Sequence, residues 1–337
     1  MPRLTQRRPG TAALAAAAFA ALALAPACVV EREGPAFSFD RTLKVDEVVR
    51  LEVTSGSGAI TIRRGSAGSV RVHGDVRAGG MFFSSGQHRA QEVAANPPVE
   101  QTGSLIRLGN RRSESPFENV SISYTIETPA NTEVIAKTGS GDVDVSGLEE
   151  NVSVTVSSGS VRLDEIKSNV SVASGSGAVR VSRIGGTVTF TGGSAQATFT
   201  EVGEDVRGTS GSGAIEVSGV HGRVNVKTGS GPIRVTSPAE DVRAGTGSGT
   251  IELRGTPAAD AFWDLGSSSG VISVTVPTNA SFALAARTSS GSFKVEIPIS
   301  IEEQSRKYLR ARVGDGKSRV NIETRSGNIR ILQGGTS

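Results

Sequence analysis

The chain has 337 residues, with 42 glycines, 4% aromatics and one cysteine. So few rings exclude a bulky aromatic core and favour thin layers of Val, Ile, Leu and Ala between Gly/Ser turns, and a lone cysteine excludes an intramolecular disulfide. The 36 Lys and Arg against 33 Asp and Glu give +3, an excess equal to Arg3, Arg7 and Arg8; the balanced remainder argues against a nucleic-acid surface.

The N-terminus comes first. Residues 1–10 carry those three arginines, residues 12–25 are rich in Ala and Leu, and Leu24-Ala25-Pro26-Ala27-Cys28 follows. A basic segment, a short apolar run and small residues predict a secretory signal peptide over 1–27. The apolar run is shorter than the roughly 20 residues of a spanning helix. Cys28 directly after Ala27 resembles the bacterial lipobox, which implies a lipid on Cys28 as the new N-terminus. Ala25-Pro26-Ala27 also reads as an ordinary A-x-A cleavage site, which would leave a soluble periplasmic or secreted protein. Val29 and Val30, with no Asp after the cysteine, imply the outer membrane by the same resemblance. Residues 28–44 read as a lipidated tether.

Next comes a less regular layer over 45–137. It opens with Ser57-Gly58-Ala59-Ile60. A short helix near Gln87–Ala95 and strands near Ser104–Leu108 and Val120–Thr128 are predicted, with a surface excursion around Gly79–Pro98.

From 138 to 255 the chain is periodic. Ser140, Ser158, Ser176, Ser194, Ser212, Ser230 and Ser248 recur in steps of 18, and Gly follows each except at Ala195. Val143, Val161, Val179, Ala197, Ile215, Ile233 and Ile251 come three later. Val152, Val170, Val188, Val206, Val224 and Val242 form another ladder. Period-two alternation within each half predicts two strands per coil. Leu148, Ile166, Ile184, Val202 and Val220 are expected to plug the corner between them. Apolar residues are not spaced every six, so the hexapeptide helix does not fit. Looser coils over 256–333 carry Ser269-Gly270, Ser290-Gly291 and Ser326-Gly327. The fold class is all-β: a single-stranded parallel β-helix, a β-solenoid of about 18-residue coils stacked near 4.8 Å apart.

The segment Pro129-Ala130-Asn131-Thr132-Glu133-Val134 leading to Thr138-Gly139-Ser140-Gly141-Asp142-Val143, and the closing Thr324-Arg325-Ser326-Gly327-Asn328-Ile329, carry a family resemblance. Eleven approximate boxes of this kind follow the export signal. Over about 45–333 the chain resembles the Toastrack family of bacterial envelope proteins. That resemblance implies a right-handed β-helix and an adhesin-like role outside the cytoplasmic membrane, near envelope-stress systems. It implies no catalytic residues.

Several segments imitate chemistry. Ala311–Ser318 satisfies a loose Walker A pattern, but a strand pattern follows where a phosphate-binding helix is needed. Gly266-Ser267-Ser268-Ser269-Gly270 satisfies G-x-S-x-G, yet Ser269 is the repeat's turn serine. Gly139–Val145 resembles a calcium-binding nonapeptide, but position 142 becomes Ser160, Ala178 and Gln196, so no acidic ladder forms. His73, His88 and His221 lack metal-ligand spacing. No cofactor, metal, nucleotide or nucleic acid is expected.

The outward position four after each repeat serine reads Asp144, Arg162, Arg180, Thr198, Glu216, Arg234, Glu252. Arg162, Arg180, Glu216, Arg234 and Glu252 are a candidate interaction ladder for an envelope protein or glycan, although mutual charge pairing on a solvated face explains them more simply. A polysaccharide lyase or hydrolase is the alternative from another class, with Trp263, Tyr124 and Tyr308 as stacking platforms. A purely structural spacer is a third.

Overall fold

The structure, a computed structural model, describes residues 37–46, 48–78, 83–109 and 120–334. The signal peptide, Cys28 and the tether as far as residue 36 lie outside the described residues.

The described residues form 29 strands and one helix. The strands make two long, mostly parallel sheets, and each coil contributes one strand to each. The stacking follows the 18-residue step: Val143, Val161, Val179, Ala197, Ile215, Ile233 and Ile251 are successive partners in the first sheet. Val152, Val170, Val188, Val206, Val224 and Val242 are successive partners in the second. These side chains are buried and form one continuous core. A slip of one residue would turn every valine outward, so the pleat itself specifies the register. The protein is a β-solenoid.

One corner of each coil is the Ser-Gly turn. The residue that organises it stands two before the recurrent serine and is a buried hydroxyl in most coils. Thr228 Oγ1 accepts the Gly231 N–H at 3.0 Å and donates to the Gly213 carbonyl one coil back at 3.3 Å. Thr138, Ser210, Thr246, Thr288 and Thr324 repeat this arrangement. The glycine after the recurrent serine is dictated by crowding: a Cβ on Gly141 would stand 1.9 Å from the Gly58 carbonyl oxygen. Gly192 replaces the hydroxyl where Phe190 folds its ring into that space; a Cβ there would meet Phe190 Cζ at 2.5 Å. Phe190 and Phe199 meet edge to face, with centroids 5.7 Å apart.

At the opposite corner the backbone turns through positive φ once per coil: Gly147 (75°), Glu165 (55°), Arg183 (53°), Glu201 (55°), Gly219 (62°) and Ser237 (50°). The following residues, Leu148, Ile166, Ile184, Val202 and Val220, are buried as expected for corner plugs.

Both ends depart from sequence order in space. At the start, Val49–Ser55 lies between Leu105–Gly109 and Thr132–Thr138, and Ile60–Arg64 lies between Val120–Thr128 and Val143–Ser146. At the finish, Ser318–Thr324 lies between Phe262–Ser267 and Phe282–Thr288, and Ile329–Gln333 lies between Ile272–Val276 and Phe293–Val295. The looser coils over 256–333 therefore do not stack in chain order. Antiparallel strands lie at the ends: Phe37–Lys44, Ser69–Ala78 and Val120–Thr128 at one, Ser300–Gln304, Tyr308–Val313 and Phe282–Thr288 at the other.

The helix runs Phe83–Ala95, longer than predicted. Residues 83–98 are a lid rather than a surface excursion: Ala90 and Val93 are buried, and the helix packs against the strands Ser69–Ala78 and Phe37–Lys44. It covers the core at that end.

Candidate functional site

The outer faces of the solenoid carry its polar chemistry. On the first sheet, Asp144, Arg162, Arg180, Thr198, Glu216, Arg234 and Glu252 stand in register, one per coil. Arg234 sits between two carboxylates, 2.7 Å from Glu216 and 3.2 Å from Glu252. The hydrogen bond to Glu252, then its charge, raises the Arg234 pKa above the ordinary arginine value. Arg162 and Arg180 are exposed neighbours, and neither has an ion-pair partner among the described residues. The ladder is thus a closed triad at one end and two open cations at the other. Exposed pairs of this kind contribute about 0–1 kcal/mol each.

The positive-φ corner forms a concavity that the sequence reading did not single out. A groove of about 890 Å³ runs along it, lined by Leu148, Ile166 and Ile184 at its floor and by Glu165, Arg183 and Glu201 at its rim. Arg64 and Glu149 flank one end, and His221 stands at the other. Lys167 Nζ is 2.6 Å from Glu149, and its hydrogen bond and charge hold that carboxyl below the usual carboxylate range. Arg183 bonds the buried Asp164, which also accepts the Ser182 hydroxyl at 2.7 Å, and lies 3.3 Å from Glu165. A signal existed in the sequence: Glu165, Arg183 and Glu201 share the 18-residue frame of Gly147 and Gly219.

The imitations of chemistry resolve into turns and strands. The Walker-like segment is the strand Tyr308–Val313, a turn with Gly314 and Gly316 at positive φ, and the strand Ser318–Thr324. No helix follows to meet a phosphate. Ser267 Oγ accepts the Gly270 N–H at 2.8 Å, and Ser269 is exposed in that turn. Two of the three stacking platforms are not available to a ligand: Trp263 and Tyr124 are core residues, with 0% and 1% exposure. Both rings lie in the less regular coils outside the strict repeat. The Trp263 Nε1–H donates to the Glu240 carbonyl at 3.3 Å. Tyr308 is partly exposed beneath Arg287, whose guanidinium lies 5.6 Å from the ring centre.

His73 bridges two strands. Its Nδ1 is 2.9 Å from Asp40 and its Nε2 is 3.5 Å from Asp75. The hydrogen bond to Asp40 raises the His73 pKa against a smaller desolvation effect. His88 and His221 are exposed. Among the described residues no group of three or more His, Cys, Asp or Glu is placed to hold a metal.

The sequence matches the family described as Toastrack DUF4097 over residues 46–332. The chain belongs to the Toastrack family. Its Toastrack span runs from Asp46 to Leu332, so it takes in the irregular ends as well as the strict coils. No curated protein matches the chain. Similar solved structures include a "putative cell adhesion protein" from Clostridium sporogenes, 11% identical, covering 88% of this chain and 100% of that one with a TM-score of 0.26. A "putative adhesin" from Parabacteroides merdae is 9% identical, covering 89% and 98% with a TM-score of 0.32. A "putative lipid binding protein" from Parabacteroides distasonis is 12% identical, covering 88% and 97% with a TM-score of 0.35. No described helix of this Toastrack chain is long and apolar enough to cross a membrane.

Proposed function

We propose that this Toastrack chain is a non-catalytic cell-envelope lipoprotein whose solenoid is an adhesin-like interaction module. The lipid on Cys28 holds it at the outer membrane, and the module reports to envelope-stress sensing. The observation that carries this reading is the outer face of the first sheet, where Asp144, Arg162, Arg180, Thr198, Glu216, Arg234 and Glu252 stand in register one coil apart. Seven stacked coils thus present one long, regular side. That side is a surface a partner can meet. Arg162, Arg180, Glu216, Arg234 and Glu252 offer one such side to an envelope protein or glycan.

Crosslinking in intact cells tests the module. The expected result is a defined envelope partner trapped by the wild-type chain; a blank across growth and stress conditions refutes it. Metabolic labelling with a radioactive fatty acid tests the anchor separately. Label on the wild type and none on Cys28→Ala is expected, and an unlabelled wild type removes the lipid while leaving the module standing.

A further inference from the structure

We infer that the groove along the positive-φ corner is a binding site for an uncharged glycan chain; the inference deepens the proposed interaction role and rests on it. The groove spans about five coil steps of ~4.8 Å, from Arg64 to His221, so it accepts an extended chain lying along the solenoid axis.

Backbone strain in the groove wall supports the site. Six consecutive coils hold this corner residue at φ between 50° and 75°. Gly147 and Gly219 adopt it freely, and Ser237 is small. The three long charged side chains are consecutive, and all three line the groove. A residue with a Cβ is disfavoured in this conformation where glycine is not. Glycine would serve the turn better at Glu165 and Glu201, so these side chains are kept for what they do at the rim. Strain of this kind gathers at functional positions.

Charge and surface chemistry select the ligand class. Arg64, Lys167 and Arg183 stand against Glu149, Glu165 and Glu201, with the buried Asp164 behind Arg183, so the groove carries one carboxylate in excess over its length; Lys167–Glu149 and Arg183–Glu165 are mutual pairs. Charges this nearly balanced exert little pull on a polyanion or polycation. Paired carboxylates and ammonium groups still have lone pairs and N–H groups to spare for hydroxyls. Leu148, Ile166 and Ile184 close the floor from beneath, and what the groove exposes between its charges is the bare backbone of Gly185 and Gly203 and the methylene stems of Lys167 and Arg183, a narrow apolar strip for the C–H face of a sugar ring. An extended peptide is less suited, because it needs an open strand edge for its own backbone groups. The strands bordering the groove are already paired on both sides.

The test titrates the mature chain with cellohexaose, maltohexaose and an N-acetylglucosamine hexamer. An oligogalacturonate and an uncharged extended peptide serve as comparison ligands. The variant combines Glu165→Gly and Glu201→Gly; Arg183 stays because it neutralises the buried Asp164. The expected result is saturable binding of at least one neutral hexamer, with amide shifts at Gly185 and Gly203. The double variant should lose at least tenfold in affinity while melting no lower than the wild type. Binding of none of the neutral hexamers, unchanged affinity in the variant, or preference for the oligogalacturonate or the peptide overturns the inference. In-cell crosslinking separates the two readings. A double variant that still traps the envelope partner when no hexamer binds sinks the groove alone, whereas hexamer binding without any trapped partner sinks the envelope role alone.

Discussion

At the residue scale, this protein is built from positions where one atom decides. Val188 has no exposed surface and stacks between Val170 and Val206. Val188→Asp places an unpaired charge in that ladder and should cost more than about 3 kcal/mol, read by chemical denaturation. Arg180→Asp, on the solvated side of the same coil, should shift stability by less than about 0.5 kcal/mol. Thr228→Val is a finer probe. Val156 occupies the equivalent place in another coil, so the methyl groups fit. The change strands the Gly231 N–H and the Gly213 carbonyl, and should cost about 1–3 kcal/mol. At the strained corner the sign reverses: Glu201→Gly should stabilise, by up to about 1 kcal/mol, measured as a higher melting temperature.

At the element scale, the edges matter most. Phe37–Lys44 is the last strand of the first sheet and is held on one side only, by Ser69–Ala78. His73 on the inner strand clamps Asp40 on the outer one, with Asp75 alongside. The folded His73 pKa lies above its ordinary 6.5. Its contribution is therefore fully present below about pH 6.5 and is lost as pH rises through the folded value. Hydrogen exchange should show the amides of Phe37–Lys44 better protected at pH 5.5 than at pH 8 after correction for intrinsic rates. His73→Gln should abolish that difference. Because His73 and Asp40 are largely solvated, the effect should be confined to the edge strand and leave the strict coils unchanged.

At the scale of the whole molecule, the coils are interchangeable in the middle and interlocked at the ends. Removing residues 176–211, two full repeats, rejoins Gly175 to Ser212 in the same turn frame. The shortened chain should fold, with circular dichroism per residue unchanged, because each coil touches only its neighbours. It would lose Arg183 and Glu201 from the groove, so a pure spacer would keep its role and a binding face would not. The terminal coil is different. Ser318–Thr324 separates Phe262–Ser267 from Phe282–Thr288, so truncation after Gly316 removes the partner of two strands at once. Trp263 and Phe282 would each lose a neighbour on one side, and the C-terminal end should melt before the rest in hydrogen exchange.

The sequence by itself determined the coil. An 18-residue recurrence of Val, Ile and Ser-Gly can be satisfied only by equivalent residues lying beside one another, so the strict register over Ser140–Ser248 was legible from spacing alone. So were the corner plugs Leu148, Ile166, Ile184, Val202 and Val220, since an isolated apolar residue between two alternating runs has one place to go. Tertiary structure alone decided the order of coils at the ends. Period two tells a strand which face is inward and says nothing about which strand lies beside it, so Ser326 reads as a continuation when its coil is in fact inserted between two earlier ones. It also decided that Trp263 and Tyr124 are core residues, because the inward face of a strand outside the strict repeat is set by the strands it packs beside. The groove belongs to this second kind of fact. Glu165, Arg183 and Glu201 look like ordinary surface charges in the sequence, and become one rim only when stacking aligns the corners at which the backbone turns to positive φ.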